Sequence, residues 1–211
     1  MMKKTLWLIC MLFSINTLAD SLTTPLQTWL SSLKTLKATF QQTVYDEKQQ
    51  VIDSSSGHFY LRKPGAFHWY YKTPYEQKII SDGSTLWIYD IDLDQVTIKP
   101  MDDSLNSTPA MIFSNPGQLE SEFIVSPITL GEASNWLLLI PKQESSIERL
   151  KIATDQGRIQ TMVIVDQLGQ TTELSFTQLQ ENPELEANLF QFQPPQGVDV
   201  IDQTQHEPRA N

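Results

Sequence analysis

Cysteine is nearly absent from this 211-residue chain: the only one is Cys10. No intramolecular disulfide can form, and every Cys-pair zinc or redox site is excluded. Basic charge is scarce as well, with 15 Lys and Arg against 25 Asp and Glu and a net charge of −10. Nucleic acid is therefore not an expected partner, because phosphate binding needs a basic face that releases counterions. Adsorption to an anionic lipid surface is disfavoured for the same reason. The glycine patterns of nucleotide sites and the G-x-S-x-G elbow are missing. Of the three histidines, His206 lies in a polar tail, and His58 and His68 fall on separate candidate strands. Neither has Cys or Glu at ligand spacing, so no zinc site is expected. Asp90, Asp92 and Asp94 resemble the start of a calcium loop. Gln95 stands where that loop needs glycine, however, and Met101 where it needs glutamate, which leaves them as solvated hairpin residues. Carboxylate pairs of the glycosidase kind are open to any acidic β-protein, but no residue here singles one out. The chain is expected to be no enzyme and to hold no cofactor or metal.

Long apolar runs are also lacking, with one exception at the start. Met1–Lys4 is short and basic, Leu6–Ile15 is mostly apolar, and Thr17-Leu18-Ala19 supplies small residues at a cleavage point. This is the pattern of a secretory signal peptide over residues 1–19, too short to span a bilayer. Cleavage before Asp20 would remove Cys10, Lys3 and Lys4, taking the net charge from −10 to −12. A soluble, exported protein without thiols is the expectation, indifferent to an oxidising compartment.

Residues 20–201 read as one domain. Thr24-Pro25-Leu26-Gln27 has the look of a helix start, followed by Leu26, Trp29, Leu30, Leu33 and Leu36 on one stripe. From Thr39 the period becomes two. Candidate strands are 39–45, 57–61, 67–71, 76–81, 85–89 and 95–100, then 122–125, 135–140, 147–154, 158–165, 171–179 and 189–193. Asp82-Gly83, Gln156-Gly157 and Leu168-Gly169 supply turn chemistry between runs. Twelve short strands without βαβ alternation predict an antiparallel sheet curled into a barrel or half-barrel. Between 102 and 117 the rhythm breaks for a short apolar helical turn, Ala110-Met111-Ile112-Phe113. That turn must cover the sheet, either as fixed core or as a movable lid. The polar segment 202–211 reads as a disordered tail.

Aromatics are concentrated in Gly57-His58-Phe59-Tyr60-Leu61-Arg62-Lys63-Pro64-Gly65-Ala66-Phe67-His68-Trp69-Tyr70-Tyr71, then in Ser81-Asp82-Gly83-Ser84-Thr85-Leu86-Trp87-Ile88-Tyr89 and Gln95-Val96. Core packing is the plain use of such residues; their density also suits an interior able to receive something apolar. The block resembles the LolA family of periplasmic lipoprotein carriers. Ala38-Thr39-Phe40-Gln41-Gln42, the first helix, and Pro194-Pro195 with Gly197-Val198 extend the resemblance along the chain.

The resemblance implies a mainly β fold, an unclosed antiparallel β-barrel covered by a lid of short helices. It implies a monomeric periplasmic shuttle that takes lipoproteins from an inner-membrane ABC complex of the LolCDE type and passes them to the outer-membrane receptor LolB. Under it, Trp29, Leu33, Phe40, Trp69, Trp87, Met111, Ile112 and Phe113 would form the acyl-chain cavity and lid. Pro64 and Phe67 would form the loop that engages the transporter, with a shielded core role as the other reading of Phe67. The family places Arg directly before the Pro, latching the lid to the barrel; here Lys63 holds that position with Arg62 before it, and these two are the latch candidates. Lysine keeps the charge but loses the planar fork, and adjacent strand residues point to opposite faces, so Lys63 is expected to be a looser latch. A periplasmic lipid sensor of the same half-barrel type is the alternative function.

Overall fold

The structure is a computed structural model that describes residues 20–101, 111–114, 119–129 and 135–204. The expected signal peptide and the tail beyond 204 lie outside the described residues. The elements are helix α1 (Asp20–Ser32), strands β1 (Thr35–Tyr45), β2 (Val51–Arg62), β3 (Ala66–Thr73), β4 (Gln77–Asp82), β5 (Thr85–Asp90) and β6 (Gln95–Pro100). Short helices α2 (Met111–Ser114) and α3 (Leu119–Glu122) come next. The chain closes with β7 (Phe123–Thr129), β8 (Asn135–Pro141), β9 (Ile147–Asp155), β10 (Arg158–Asp166), β11 (Thr171–Glu181) and β12 (Asp199–Asp202).

All twelve strands join one sheet in the order β12-β6-β5-β4-β3-β2-β1-β11-β10-β9-β8-β7. The end strands β12 and β7 do not pair, so the barrel is open. Neighbours are antiparallel apart from β12, which runs parallel to β6 with Val200 opposite Val96. The three expected Gly turns join β4 to β5, β9 to β10 and β10 to β11. In the first of these, Asp82 Oδ1 accepts the amides of Ser84 (2.8 Å) and Thr85 (2.9 Å). Burial would raise that carboxyl, but these bonds outweigh it and hold its pKa below the ordinary value.

Alternation sorts the aromatic block onto two faces. Phe59 and Leu61 of β2 and Phe67 and Trp69 of β3 point inward and are buried in the core with Phe40 of β1. His58, Tyr60, His68 and Tyr70 lie on the outer face in a ladder of ring contacts near 6 Å (6.3, 5.9 and 6.0 Å between centroids). Gly57 is required where β2 meets β3, since a Cβ there would lie 1.8 Å from the Tyr70 carbonyl oxygen.

Two expectations about helix and strand limits need correction. Helix α1 starts at Asp20, so Pro25 is interior and Thr24 is no cap, while Leu36 belongs to β1. The stripe residues Leu26, Trp29, Leu30 and Leu33 are all buried against the sheet, whose burial of an apolar face outweighs the one ladder bond Pro25 cannot make. The expected strand 189–193 is a 3₁₀ turn, Ala187–Phe190, that crosses the outer face over β3 and β4. The last strand comes later, as β12. The tail also begins later than expected: Asp202 ends β12, and the Gln203 amide donates to the Ile98 carbonyl (2.8 Å).

Candidate functional site

The inner face of the sheet is roofed by α1 and α2. From the roof, Trp29 meets Phe113 edge-on with centroids 6.5 Å apart, and Phe113 reaches Phe59 (5.1 Å) and Phe176 (5.9 Å). On the floor, Phe59 and Phe40 both lie against Trp69, at 4.6 and 4.9 Å. Phe40 also contacts Tyr71 at 5.1 Å. Trp29, Leu33, Phe40, Trp69, Ile112 and Phe113 thus converge in one buried cluster. The side chain of Met111 lies outside the described residues. Phe176 and Phe59 belong to the same cluster and were not assigned to it from sequence. The signal for Phe176 was its place two residues from Leu174 on a half-buried strand, which any core strand shares.

The interior contains two polar atoms that burial should penalise. Among the described residues, neither the Trp29 nor the Trp69 indole N–H meets an acceptor. A buried unpaired donor costs about 1–3 kcal/mol. The interior is packed with the protein's own side chains, yet two of its largest ones retain unused hydrogen-bonding capacity.

The roof is fastened at the C-terminal end of α1, where carbonyls run out of helical partners. Lys63 Nζ donates to the Leu30 carbonyl, and burial lowers the Lys63 pKa. Ser32 Oγ donates to the Trp29 carbonyl (2.7 Å). Asn182, at φ 53° just past β11, accepts the Lys34 amide (2.6 Å) and the Thr35 amide (3.3 Å) through Oδ1 and donates to the Ser32 carbonyl (3.3 Å). Sequence reasoning found Lys63 and missed Asn182, which is 148 residues from its Lys34 partner in the chain.

Three assigned residues stand elsewhere. Arg62 faces outward with its guanidinium 4.4 Å from the Phe190 ring centroid, so it is not part of the latch. Trp87 is opposite Ile80 on the outer face, 6.3 Å from Phe192, while its neighbour Leu86 turns into the core. Trp87 therefore does not line the interior. Phe67 is 1% exposed within β3, which leaves the core reading of that residue and removes it from a contact loop. Pro64 sits exposed in the turn between β2 and β3.

Beyond Tyr71 the inner face opens into a cleft of about 540 Å³ at the ends of β1–β5 away from the Lys63 latch. Tyr71 is partly buried against the core and its hydroxyl donates to Gln42 Oε1 (3.2 Å). Burial first, and then the Asp53 charge, push its pKa far up. Nothing in the sequence marked this cleft, because its walls come from five different strands and the loop at Ile91–Leu93.

A sequence family described as the outer membrane lipoprotein carrier protein LolA matches residues 31–193. An outer-membrane lipoprotein carrier protein of Nitrosomonas europaea is 40% identical over 178 residues, 83% of this chain and 86% of that one. One of Legionella pneumophila (strain Corby) is 36% identical over 203 residues, 96% of this chain and all of that one. A conserved protein of Thermus thermophilus, known from its crystal structure, superposes with a TM-score of 0.53 over 87% of this chain and 98% of its own. At 15% identity it speaks for the fold alone.

Proposed function

The chain belongs to the LolA family of outer membrane lipoprotein carrier proteins, and from that premise we propose that it is a periplasmic carrier of lipoproteins. It takes them from an inner-membrane ABC complex of the LolCDE type, shelters their acyl chains beneath α1 and α2, and delivers them to the receptor LolB. The observation that supports this best is the aromatic interior roofed by two short helices, Trp29 and Phe113 meeting Phe59, Trp69 and Phe176.

The physics of carriage matches such a site. Each CH₂ of an acyl chain exposed to water costs about 0.8 kcal/mol, so an acylated protein does not cross an aqueous compartment bare. A carrier that bound those chains in a permanently open pocket would not release them. Here, cargo would displace contacts that the roof already makes with the sheet, so net affinity is a difference between two packed states. The unused Trp29 and Trp69 indole N–H groups favour the displaced state, since ester and amide carbonyls of an acylated terminus are acceptors. No step of this cycle asks the carrier for catalysis or a cofactor. Among the described residues no helix is long and apolar enough to cross a membrane.

The test is to incubate the purified protein with spheroplasts making labelled lipoproteins. Appearance of labelled lipoprotein in the soluble fraction, bound to this protein, is the expected result. Retention of the label in the membrane overturns the reading. A stable complex with a periplasmic regulator, and no lipoprotein bound, would assign the fold to sensing instead.

A further inference from the structure

The cleft beyond Tyr71 differs in chemistry from the interior it adjoins. Its walls carry four carboxylates, Asp53, Glu76, Asp90 and Asp92, and none of the residues lining it is cationic. Asp90 accepts a hydrogen bond from Gln77 Nε2, and Glu76 accepts one from the Tyr70 hydroxyl (2.8 Å). Asp53 and Asp92 make no ion pair among the described residues. The apolar part of the wall includes Tyr71, Pro74 and the exposed side chains of Tyr75 and Leu93, each 72% exposed. A second observation is independent of the charges. Ser55 lines the cleft, is 8% exposed, and its Oγ has no hydrogen-bond partner among the described residues.

These features select a ligand class. An acyl chain would strip water from the carboxylates without replacing it and would leave the buried Ser55 hydroxyl still unpartnered, which is costly. A divalent ion needs three or more ligand groups drawn together, and no such grouping exists among the described residues. A guanidinium fits: it is planar, pairs with carboxylates at the rim, lies on tyrosine faces, and still has N–H groups to offer Ser55. Tyr71 touches Phe40 at 5.1 Å, so the cleft and the aromatic interior share Tyr71 as a common wall. A chain whose acyl groups lie under the roof would pass its first peptide residues along this wall.

We propose that the cleft is a subsite for the polypeptide of the cargo itself, the segment immediately following the acylated terminus, and that it prefers arginine there. This rests on the carrier reading and adds to it a basis for choosing among acylated chains.

The experiment measures binding of three fluorescent probes by anisotropy: an acylated peptide with two arginines after the acylated residue, the same lipopeptide with glutamines there, and the arginine peptide without acyl chains. The arginine lipopeptide should bind about fivefold tighter than the glutamine one, and raising NaCl from about 50 to about 500 mM should remove most of that margin. Replacing both Asp53→Asn and Asp92→Asn should abolish the margin, whereas Glu184→Gln with Glu186→Gln, an equal charge change outside the cleft, should keep it. Ser55→Ala should reduce it and leave the glutamine lipopeptide unaffected. Equal binding of both lipopeptides, or a margin that survives the cleft substitutions, overturns the subsite and leaves the carrier reading standing. Failure of both lipopeptides to bind overturns the carrier reading and the subsite with it. Equal affinity of the arginine peptide with and without its acyl chains overturns the link to cargo.

Discussion

His68 shows how much one outer-face residue is governed by what lies over it. Burial lowers its pKa to about 4, the Lys78 charge adds to this, and an interaction with the Leu189 backbone opposes it. Protonation is thus harder in the folded protein than in the unfolded chain, where the value is near 6.5. The folded state loses stability as pH falls from 6.5 towards 4 and gains nothing further above that interval, a change of up to about 3 kcal/mol. Urea unfolding at about pH 7.5 and about pH 4.5, on either side of most of that interval, should show this loss. His68→Phe should shrink it while the remaining carboxylate contribution persists. An identical pH dependence in the variant would place the loss elsewhere. The residue scale also shows where local pattern fails. Lys63 could be assigned a latch because it occupies a motif position before Pro64. Asn182 could not, since an asparagine in a polar loop looks like any turn residue until the fold sets it beside Ser32, Lys34 and Thr35.

At the scale of elements, the helix α1 is held to the sheet by two unequal means. Its apolar stripe is buried, which fixes where it packs, whereas the bonds at its C-terminal end fix whether it stays. Lys63→Leu removes the charged donor to the Leu30 carbonyl and leaves that group only the long bond from the Leu33 amide (3.4 Å). A hydrogen bond from a charged donor contributes about 1.5–3 kcal/mol, so α1 amides should exchange with deuterium at least about tenfold faster. Lys63→Arg restores a donor with a wider fork and should slow exchange below that of the unaltered protein. Faster exchange in the Leu variant should accompany faster uptake of an acylated probe. If exchange and uptake are the same in both variants, Lys63 is not a latch. The strands were easier to place than their roof. Eleven of the twelve expected runs overlap observed strands, because a period of two with Gly turns is a local property. The run 189–193 has the same apolar alternation, yet Phe190 is buried by lying across a finished sheet rather than by joining it.

For the molecule as a whole, the excess of acidic over basic side chains, 25 against 15, has a consequence for a carrier with an aromatic interior. An anionic lipid surface attracts basic segments by about 1 kcal/mol per charge and repels acidic ones, so the acidic balance should limit adhesion to anionic membranes. Replacing exposed acidic residues away from the cleft by lysine should raise partitioning onto anionic vesicles and slow turnover between donor and acceptor membranes; unchanged partitioning in a sedimentation assay would refute this. The sequence by itself determined the β class, the two-faced strands, the absence of the usual catalytic and metal patterns, and the family. The first three follow from composition or from spacing within a few residues, and the family from the resemblance carried by the block from Gly57 to Val96. Only the tertiary structure decided which of two faces is the inside. Leu86 and Trp87 are both apolar and adjacent, and alternation says that they part without saying which goes in. The choice is made by register with β4, where Ser81 faces Leu86 and Ile80 faces Trp87, and by the C-terminal segment that covers the outer face. The latch at Asn182, the parallel docking of β12 and the acidic cleft all depend likewise on residues that meet only once the sheet is assembled.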